Sequence, residues 1–117
     1  MIIGIVGSRR RDSDKDYDLV EKAFLILYKN GDSIVSGGCY KGGDRFAEII
    51  AKKLNIPIKI YPADWNEYGK GAGFVRNTYI ARDSDVLIAC VAKDRTGGTE
   101  DTVKKYLKLN KKELVLV

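Results

Sequence analysis

The sequence predicts one α/β domain of the Rossmann-like type, a three-layer α/β/α sandwich around a five-stranded parallel sheet with strand order 3-2-1-4-5. Three observations predict it. Short apolar runs alternate with longer segments of helical periodicity, glycine-rich turns lie between many of them, and neither a repeat nor a linker divides residues 1–117. Right-handed crossovers between such units favour a parallel sheet that helices cover on both faces.

The first half of the chain contains two predicted strand–helix units. Residues 2–6 are wholly apolar, which is typical of a central strand buried on both faces. A helical stripe then precedes a short strand at residues 33–36, and a second helical face precedes a strand at residues 57–61. The first stripe consists of Tyr17, Val20, Phe24, Leu27 and Tyr28, and the second of Phe46, Ala47, Ile50, Ala51 and Leu54.

The second half begins with residues 62–73, a polar, aromatic and glycine-containing segment that we predict to be irregular. A helix is expected from about residue 72 to 82, a strand at residues 86–91 and a last strand at residues 114–117. Between these strands, Thr99 is a candidate N-cap of a helix whose inward residues are Val103, Tyr106 and Leu107.

Composition limits the chemistry and the location that we expect. The chain has no histidine, so proton transfer would fall to Asp, Glu, Tyr, Lys or water, and we predict neither a metal ion nor a cofactor. No apolar stretch approaches the length of a membrane span, and the two cysteines have no metal-ligand spacing. We expect a cytoplasmic protein without a membrane partner, in which Cys90 is buried.

Three glycine-containing turns point to a phosphate-accepting site. They read GSR at residues 7–9, SGGCYKGGD at residues 36–44 and TGGTED at residues 96–101, each after a predicted strand. Strand-to-helix turns of a parallel sheet meet at one edge, where free backbone N–H groups at helix starts bind anions. The residues predicted to contact the ligand here are Gly7, Ser8, Arg9, Ser36, Gly37, Gly38, Gly97, Gly98 and Thr99.

None of these turns has the spacing of a known nucleotide motif. The P-loop requires G-x-x-x-x-G-K-[ST] and the dinucleotide fingerprint requires G-x-G-x-x-G, and neither pattern fits. We therefore predict neither ATPase nor dehydrogenase activity.

Two arginines and two other polar residues complete the predicted site. Arg9 and Arg76 offer guanidinium groups to a phosphate, and Arg76 is also a candidate for stabilising charge in a transition state. Asn77 follows it, while Arg10 and Arg11 are expected to face solvent. Asp44 either caps the second helix or binds ribose hydroxyl groups.

The irregular segment adds aromatic and acidic candidates. Trp65 and Tyr68 either stack on a base or pack against the domain itself. Asp64 and Glu67 are candidate general acids or bases, provided that the segment covers a pocket and desolvates them.

These motifs resemble the SLOG superfamily of nucleotide-ligand Rossmannoid proteins, and within it the small YspA-type (YpsA-related) branch. The resemblance covers nearly the whole chain: GSR, SGG with GGD, PADW at residues 62–65, GKGAGFVRN at residues 69–77 and GGT at residues 97–99 occur in the family's order. It implies a Rossmann-like fold that binds a nucleotide-derived ligand.

Two relatives within that superfamily imply different activities. The LOG family hydrolyses the N-glycosidic bond of nucleoside 5′-monophosphates with an arginine, which Arg76 matches, and with a glutamate in G-G-x-G-T-x-x-E. This chain has Thr102 at the glutamate's spacing, with Glu100 and Asp101 nearer to the glycines. The DprA-type proteins share GSR, an approximate S-G-x-x-x-G-x-D pattern and R-N, and they bind single-stranded DNA.

We therefore expect a protein that binds, and senses or processes, a phosphate-containing nucleotide derivative. The alternatives are a phosphoribohydrolase, which would be the enzymatic reading, and a single-stranded nucleic-acid-binding module, which the net charge of +5 also favours. The small size and the apolar last strand favour a homo-oligomer.

Overall fold

The computed structural model describes residues 1–117, and all five strands lie in one parallel sheet with the order β3-β2-β1-β4-β5. This confirms the predicted fold class and strand order. The strands are β1 (Ile2–Gly7), β2 (Ser33–Ser36), β3 (Ile58–Ile60), β4 (Val86–Cys90) and β5 (Leu114–Leu116). The helices are α1 (Asp14–Leu27), α2 (Gly43–Leu54), α3 (Trp65–Tyr68), α4 (Ala72–Asp83) and α5 (Gly98–Lys108), with a 3₁₀ turn at Gly69–Gly71.

The centre of the sheet is the pairing of β1 with β4. Ile3 is in register with Val86 and Gly7 with Cys90, whereas the chain reaches β4 only after β2 and β3 have been added on the other side of β1. The strand order therefore reverses between β1 and β4. In open α/β sheets this reversal opens a crevice at the carboxyl ends of the strands, where ligands bind.

Two apolar clusters, one on each face of the sheet, hold the helices against it and so define three layers. On one face, Phe24 of α1 and Phe46 of α2 pack with Ile5 and Ile88 of the central strands. On the other face, Ile80 of α4 and Tyr106 of α5 pack with Leu87 and other strand residues. Since β4 is buried along its whole length, as is Cys90 at its end, helices must cover both of its sides.

Local sequence explains where the helices begin and end. Ser13 and Asp16 form a reciprocal capping box at the start of α1, so the polar stretch before the apolar stripe is already helical. Asn55 ends α2 in the left-handed conformation, with φ of 54°, and its N–H group bonds carbonyls of the last turn.

Residues 62–73 are more regular than the sequence predicts. They contain α3 and the 3₁₀ turn, because Asp64 caps the short helix by accepting the N–H of Glu67 at 3.1 Å. Leu107 was expected to face inward but is 48% exposed, since Val103 and Tyr106 already fill the buried side of α5. None of the helices has the length and apolar composition that a membrane crossing requires.

Candidate functional site

A cavity of about 410 Å³ lies at the crevice between the carboxyl ends of β1 and β4. It is closed at the sides by the turns that begin α2 and α5 and by one face of α4. The residues that line it are Val6, Gly7, Ser8, Arg9, Arg10, Cys39, Asp44, Trp65, Lys70, Gly73, Phe74, Arg76, Asn77, Ile80, Thr96, Gly97, Gly98, Thr99 and Thr102. Its volume is in the range of small-molecule sites, about 300–1,000 Å³.

The turn after β1 brings all three of its predicted residues to the cavity. Gly7 lies between Cys90 and the backbone of Gly43, with no room for a side chain. Ser8 is buried, and its hydroxyl oxygen accepts the N–H of Arg10 at 3.2 Å, which leaves the hydroxyl proton free to donate. Arg9 is exposed at the cavity wall.

Arg10 and Arg11 do not simply face solvent as the sequence suggested. Arg10 lines the cavity and donates hydrogen bonds of 2.9 Å to Asp94 and to both oxygens of Thr96, so it joins the turn after β1 to the turn after β4. The hydrogen bond from Arg10 lowers the pKa of Asp94 to about 2. Arg11 is half-buried and donates to the carbonyl oxygens of Val91 and Val117, which hold it against the end of the sheet.

The turn after β2 supports the cavity from behind. Ser36, Gly37 and Gly38 were predicted to contact the ligand but are not among the lining residues. The hydroxyl of Ser36 lies 2.6 Å from the carbonyl oxygen of Ile5, and the carbonyl oxygen of Gly37 accepts Nη1 of Arg76 at 2.6 Å. Gly37 lies against Arg76 and Asp44, and Gly38 lies against Ile60, so these residues are enclosed by neighbours that sequence spacing does not reveal.

Asp44 lines the cavity from this turn and is the only carboxylate that does. It caps the loop before α2 rather than the helix itself, because Oδ2 accepts the N–H of Cys39 at 3.1 Å, while the binding of ribose hydroxyl groups stays a prediction. Burial raises the pKa of Asp44, although the Cys39 N–H group, the Ser36 hydroxyl and the positive charge of Arg76 oppose the shift. The nearest guanidinium nitrogen of Arg76 is 3.9 Å from Oδ2.

Arg76 is a largely buried cation on the α4 wall of the cavity, with 17% of its side chain exposed. Nη1 is held by the Gly37 carbonyl, whereas Nε is buried without any hydrogen-bond partner. A guanidinium group carries five N–H donors and retains its charge when buried, so an unsatisfied donor is costly. The site therefore has unused capacity to donate hydrogen bonds to an anion.

Asn77 is buried beside Arg76 and joins α4 to the start of α5. Its amide nitrogen donates to the carbonyl oxygen of Gly98 at 3.2 Å and to Oδ2 of Asp101 at 3.1 Å. The side chain lines the cavity as predicted, but both of its N–H bonds are used within the protein. Its part in the geometry is to position the glycine turn after β4.

That turn presents the amino end of α5 to the cavity. Gly97 is the N-cap, which corrects the prediction that Thr99 has this position. Gly97, Gly98 and Thr99 all line the cavity, and no side chain caps the first-turn amides. Free N–H groups and the positive end of the helix dipole therefore lie beside Arg76 and Arg9.

The candidates from residues 62–73 divide into two groups. Trp65 lines the cavity, whereas Tyr68, Asp64 and Glu67 do not. Asp64 and Glu67 are also exposed, so the desolvation that a general acid or base at neutral pH would need is absent. The reason is that α3 lies at the cavity entrance instead of covering it.

Sequence reasoning missed several lining residues. They are Val6, Arg10, Cys39, Lys70, Gly73, Phe74, Ile80, Thr96 and Thr102. Helical spacing was the available signal for some of them, because Gly73, Asn77 and Ile80 lie on one face of α4 and Thr102 lies one turn after Thr99. Phe74 lies three residues before Asn77 on the same predicted helix, whereas Lys70 had no such signal, since it lies in a 3₁₀ turn that the sequence did not predict.

The fold and the cavity define a Rossmann-like α/β protein with a basic, glycine-walled site at the topological switch point. No family model, curated protein or solved structure matches the chain.

Proposed function

We propose that the cavity binds a nucleotide-derived small molecule through its phosphate, as the SLOG-type motifs imply. The observation that carries the proposal is the guanidinium group of Arg76, whose only hydrogen bond in the protein is from Nη1 to Gly37, so that Nη2 is without a partner on the wall of a cavity that also receives the uncapped amino end of α5. An anion between these groups would accept hydrogen bonds that nothing else in the protein accepts.

The charges of the cavity wall support an anionic ligand. Arg9, Arg10, Lys70 and Arg76 line the cavity, against Asp44 as the single carboxylate. The negative charge of Asp44 is opposed by Arg76, whose nearest guanidinium nitrogen lies 3.9 Å from its Oδ2.

The same geometry favours binding over hydrolysis. Cleavage of a glycosidic bond needs a carboxyl group next to the sugar. Asp44 is the one carboxylate that lines the cavity, and it accepts the N–H of Cys39 and lies 3.9 Å from Arg76, while the carboxyl groups near the turn after β4 are engaged elsewhere. Glu100 accepts two hydrogen bonds from Arg95, at 2.8 and 2.9 Å, and Asp101 accepts from Lys105 at 2.7 Å. Thr102 lines the cavity in their place.

The test is calorimetric titration with inorganic phosphate, ribose 5-phosphate and nucleoside mono- and diphosphates, with Arg76→Ala and Arg82→Ala as matched variants. Arg82 is on the same helix but is exposed, pairs with Asp83 and lies outside the cavity. We expect Arg76→Ala to weaken binding by roughly 10- to 100-fold, which is the effect of losing hydrogen bonds from a charged group, and Arg82→Ala to leave it unchanged.

The alternatives have their own outcomes in the same experiment. Release of free base from a nucleoside monophosphate, detected by chromatography, would show that the protein hydrolyses the nucleotide and does not only bind it. Tight binding of single-stranded oligonucleotides that weakens steeply with salt, without binding of mononucleotides, would favour a nucleic-acid-binding module. Equal affinity of wild type and Arg76→Ala would mean that the ligand binds elsewhere.

Two further proposals concern the state of the protein. We infer a cytoplasmic location because both cysteines are free, as in a reducing compartment. We also infer a homo-oligomer, and light scattering after size-exclusion chromatography would contradict this by giving the mass of one 13.1 kDa chain.

A further inference from the structure

Two large aromatic rings at the cavity entrance have no apolar partner that covers them. Trp65 and Phe74 both line the cavity, yet their exposed fractions are 58% and 56%. Aromatic rings contribute most when both faces are covered, so exposed rings on a cavity wall offer stacking surface to a planar ligand.

Phe74 is held in a fixed position. Its carbonyl oxygen accepts the ammonium group of Lys105 at 2.7 Å and the hydroxyl of Thr78 at 3.1 Å. The same ammonium lies 5.5 Å from the centre of the ring. The backbone of Phe74 is thus anchored to α5 as well as to its own helix, and the Lys105 ammonium lies over its ring.

Trp65 is on a segment with weak attachment. Within residues 64–71, neither α3 nor the 3₁₀ turn contains a buried residue, and a side chain at Gly69 would meet no neighbouring atom. Segments with few buried contacts move at low energetic cost. Lys70 lies on the same segment and lines the cavity, so movement of the segment carries an aromatic ring and a cation together.

We propose that Phe74 and Trp65 hold the nucleobase of the ligand between them, with residues 64–71 closing over it. This rests on the proposed function and adds a second part of the ligand. That part is a planar aromatic base, which the sugar joins to the phosphate and which ribose 5-phosphate lacks. Phe74 provides the fixed face and Trp65 the moving one. Closure also brings Lys70 towards the charge of the ligand.

The chain contains one tryptophan, so the fluorescence of Trp65 reports on this segment directly. The probes are adenosine and cytidine monophosphates, the corresponding nucleosides, ribose 5-phosphate and inorganic phosphate. We expect the nucleoside monophosphates to shift Trp65 emission and protect it from acrylamide quenching, whereas ribose 5-phosphate binds without changing the emission. The base should strengthen binding over ribose 5-phosphate by roughly 5- to 100-fold.

Variants separate stacking from phosphate binding. Trp65→Ala and Phe74→Ala should each weaken nucleoside monophosphate binding by roughly 5- to 100-fold and leave ribose 5-phosphate binding unchanged. Tyr40→Ala is the matched control, because Tyr40 is a 73% exposed aromatic residue outside the cavity lining.

Each outcome decides between the two proposals. Equal affinity for nucleoside monophosphate and ribose 5-phosphate, or calorimetric binding without any change at Trp65, would overturn the base-holding role while the phosphate site stands. If nucleosides shift the emission and no phosphate compound binds, the role of the aromatic pair stands and the phosphate site is overturned. Binding of none of the probes would overturn both.

Discussion

Two Gly-Gly pairs lie at the starts of helices in this protein. Their N-cap glycines have similar backbone conformations, but the surroundings of the two pairs differ. Gly42 and Gly97 are the N-caps of α2 and α5, with φ/ψ of 75°/−149° and 107°/−172°. Only glycine adopts this region without strain. The pairs differ at the next residue, where Gly43 and Gly98 begin the two helices.

Gly43 is enclosed by backbone, whereas Gly98 faces open space. A Cβ atom on Gly43 would lie 2.3 Å from the carbonyl carbon of Val6 and 2.4 Å from the nitrogen of Gly7. A Cβ atom on Gly98 would meet no atom within 4 Å. The first pair lets α2 pack directly against β1, and the second leaves the amides of α5 accessible from the cavity.

The difference shows that a glycine turn can either allow close packing or leave a binding surface open, and that the sequence of the turn does not distinguish the two. SGGCYKGGD contains more glycine than TGGTED and looks like the stronger phosphate motif. In the structure its glycines make room for Arg76, Ile60 and the backbone of β1. The longer motif lines the cavity only with Cys39 and Asp44, whereas both glycines of the shorter motif line it.

The largest expected effect is on stability, from Gly43→Ala. The added methyl group meets main-chain atoms that cannot move without displacing β1, so we expect a loss of about 3 kcal/mol or more in the free energy of unfolding. The melting temperature should fall by about 10 °C or more. Circular dichroism during heating and urea unfolding would measure it, and a stability equal to wild type would refute the enclosed position of Gly43.

The sequence predicted most of the fold because its signals are local and repeated. The apolar runs of β1 and β4 and the stripes of α1 and α2 follow the periods of buried strands and amphipathic helices, and the observed bounds differ from the predicted ones by few residues. Handedness and alternation predicted a parallel sheet, but they also admit the order 2-1-3-4-5, so the order 3-2-1-4-5 was a separate prediction that the structure confirms.

The site was only partly predictable because its contacts join distant parts of the chain. That Gly37 binds Arg76, and that Arg10 binds Thr96, depends on how three turns meet at one edge. The positions of Asp64 and Glu67 outside the cavity depend on a single capping bond that starts α3. No spacing rule within one segment contains this information.

The second expected effect is a pH dependence of stability, and it follows from the different surroundings of the carboxylates in the first turns of α2 and α5. Asp44 of α2 points into the protein, while Glu100 and Asp101 of α5 pair with Arg95 and Lys105. The Ser36 hydroxyl lies 2.6 Å from the Ile5 carbonyl oxygen and 2.9 Å from Oδ1 of Asp44. The hydroxyl has one proton, so it cannot donate to both oxygens at once.

Stability should therefore fall as Asp44 ionises. Burial raises the folded pKa above the ordinary value of 3.8, so at intermediate pH the folded protein holds a proton that the unfolded chain has released. The resulting stabilisation is complete below pH 3.8 and is lost as the pH rises through the folded pKa.

Urea unfolding of wild type and Asp44→Asn across pH isolates this group. The neutral amide does not titrate, so the stability of wild type minus that of the variant should decrease with rising pH, by no more than about 1.4 kcal/mol per pH unit. A difference that increases with pH would instead mean that Arg76 keeps the buried carboxyl ionised.

The smallest expected change in stability comes from Gly98→Ala, which separates the two Gly-Gly pairs most sharply. The methyl group meets no atom and alanine favours helix, so the free energy of unfolding should change by less than about 1 kcal/mol.

The same methyl group would stand at the cavity wall, beside the first-turn amides of α5, and keep a phosphate from approaching them. We expect ligand binding to weaken by about tenfold or more, the effect of losing one good hydrogen bond. Leu107→Ala is the control, because Leu107 is exposed on the same helix and does not line the cavity. Calorimetry decides the question: if Gly98→Ala binds as tightly as Leu107→Ala, the amides of α5 do not hold the phosphate, and Arg76 must do so.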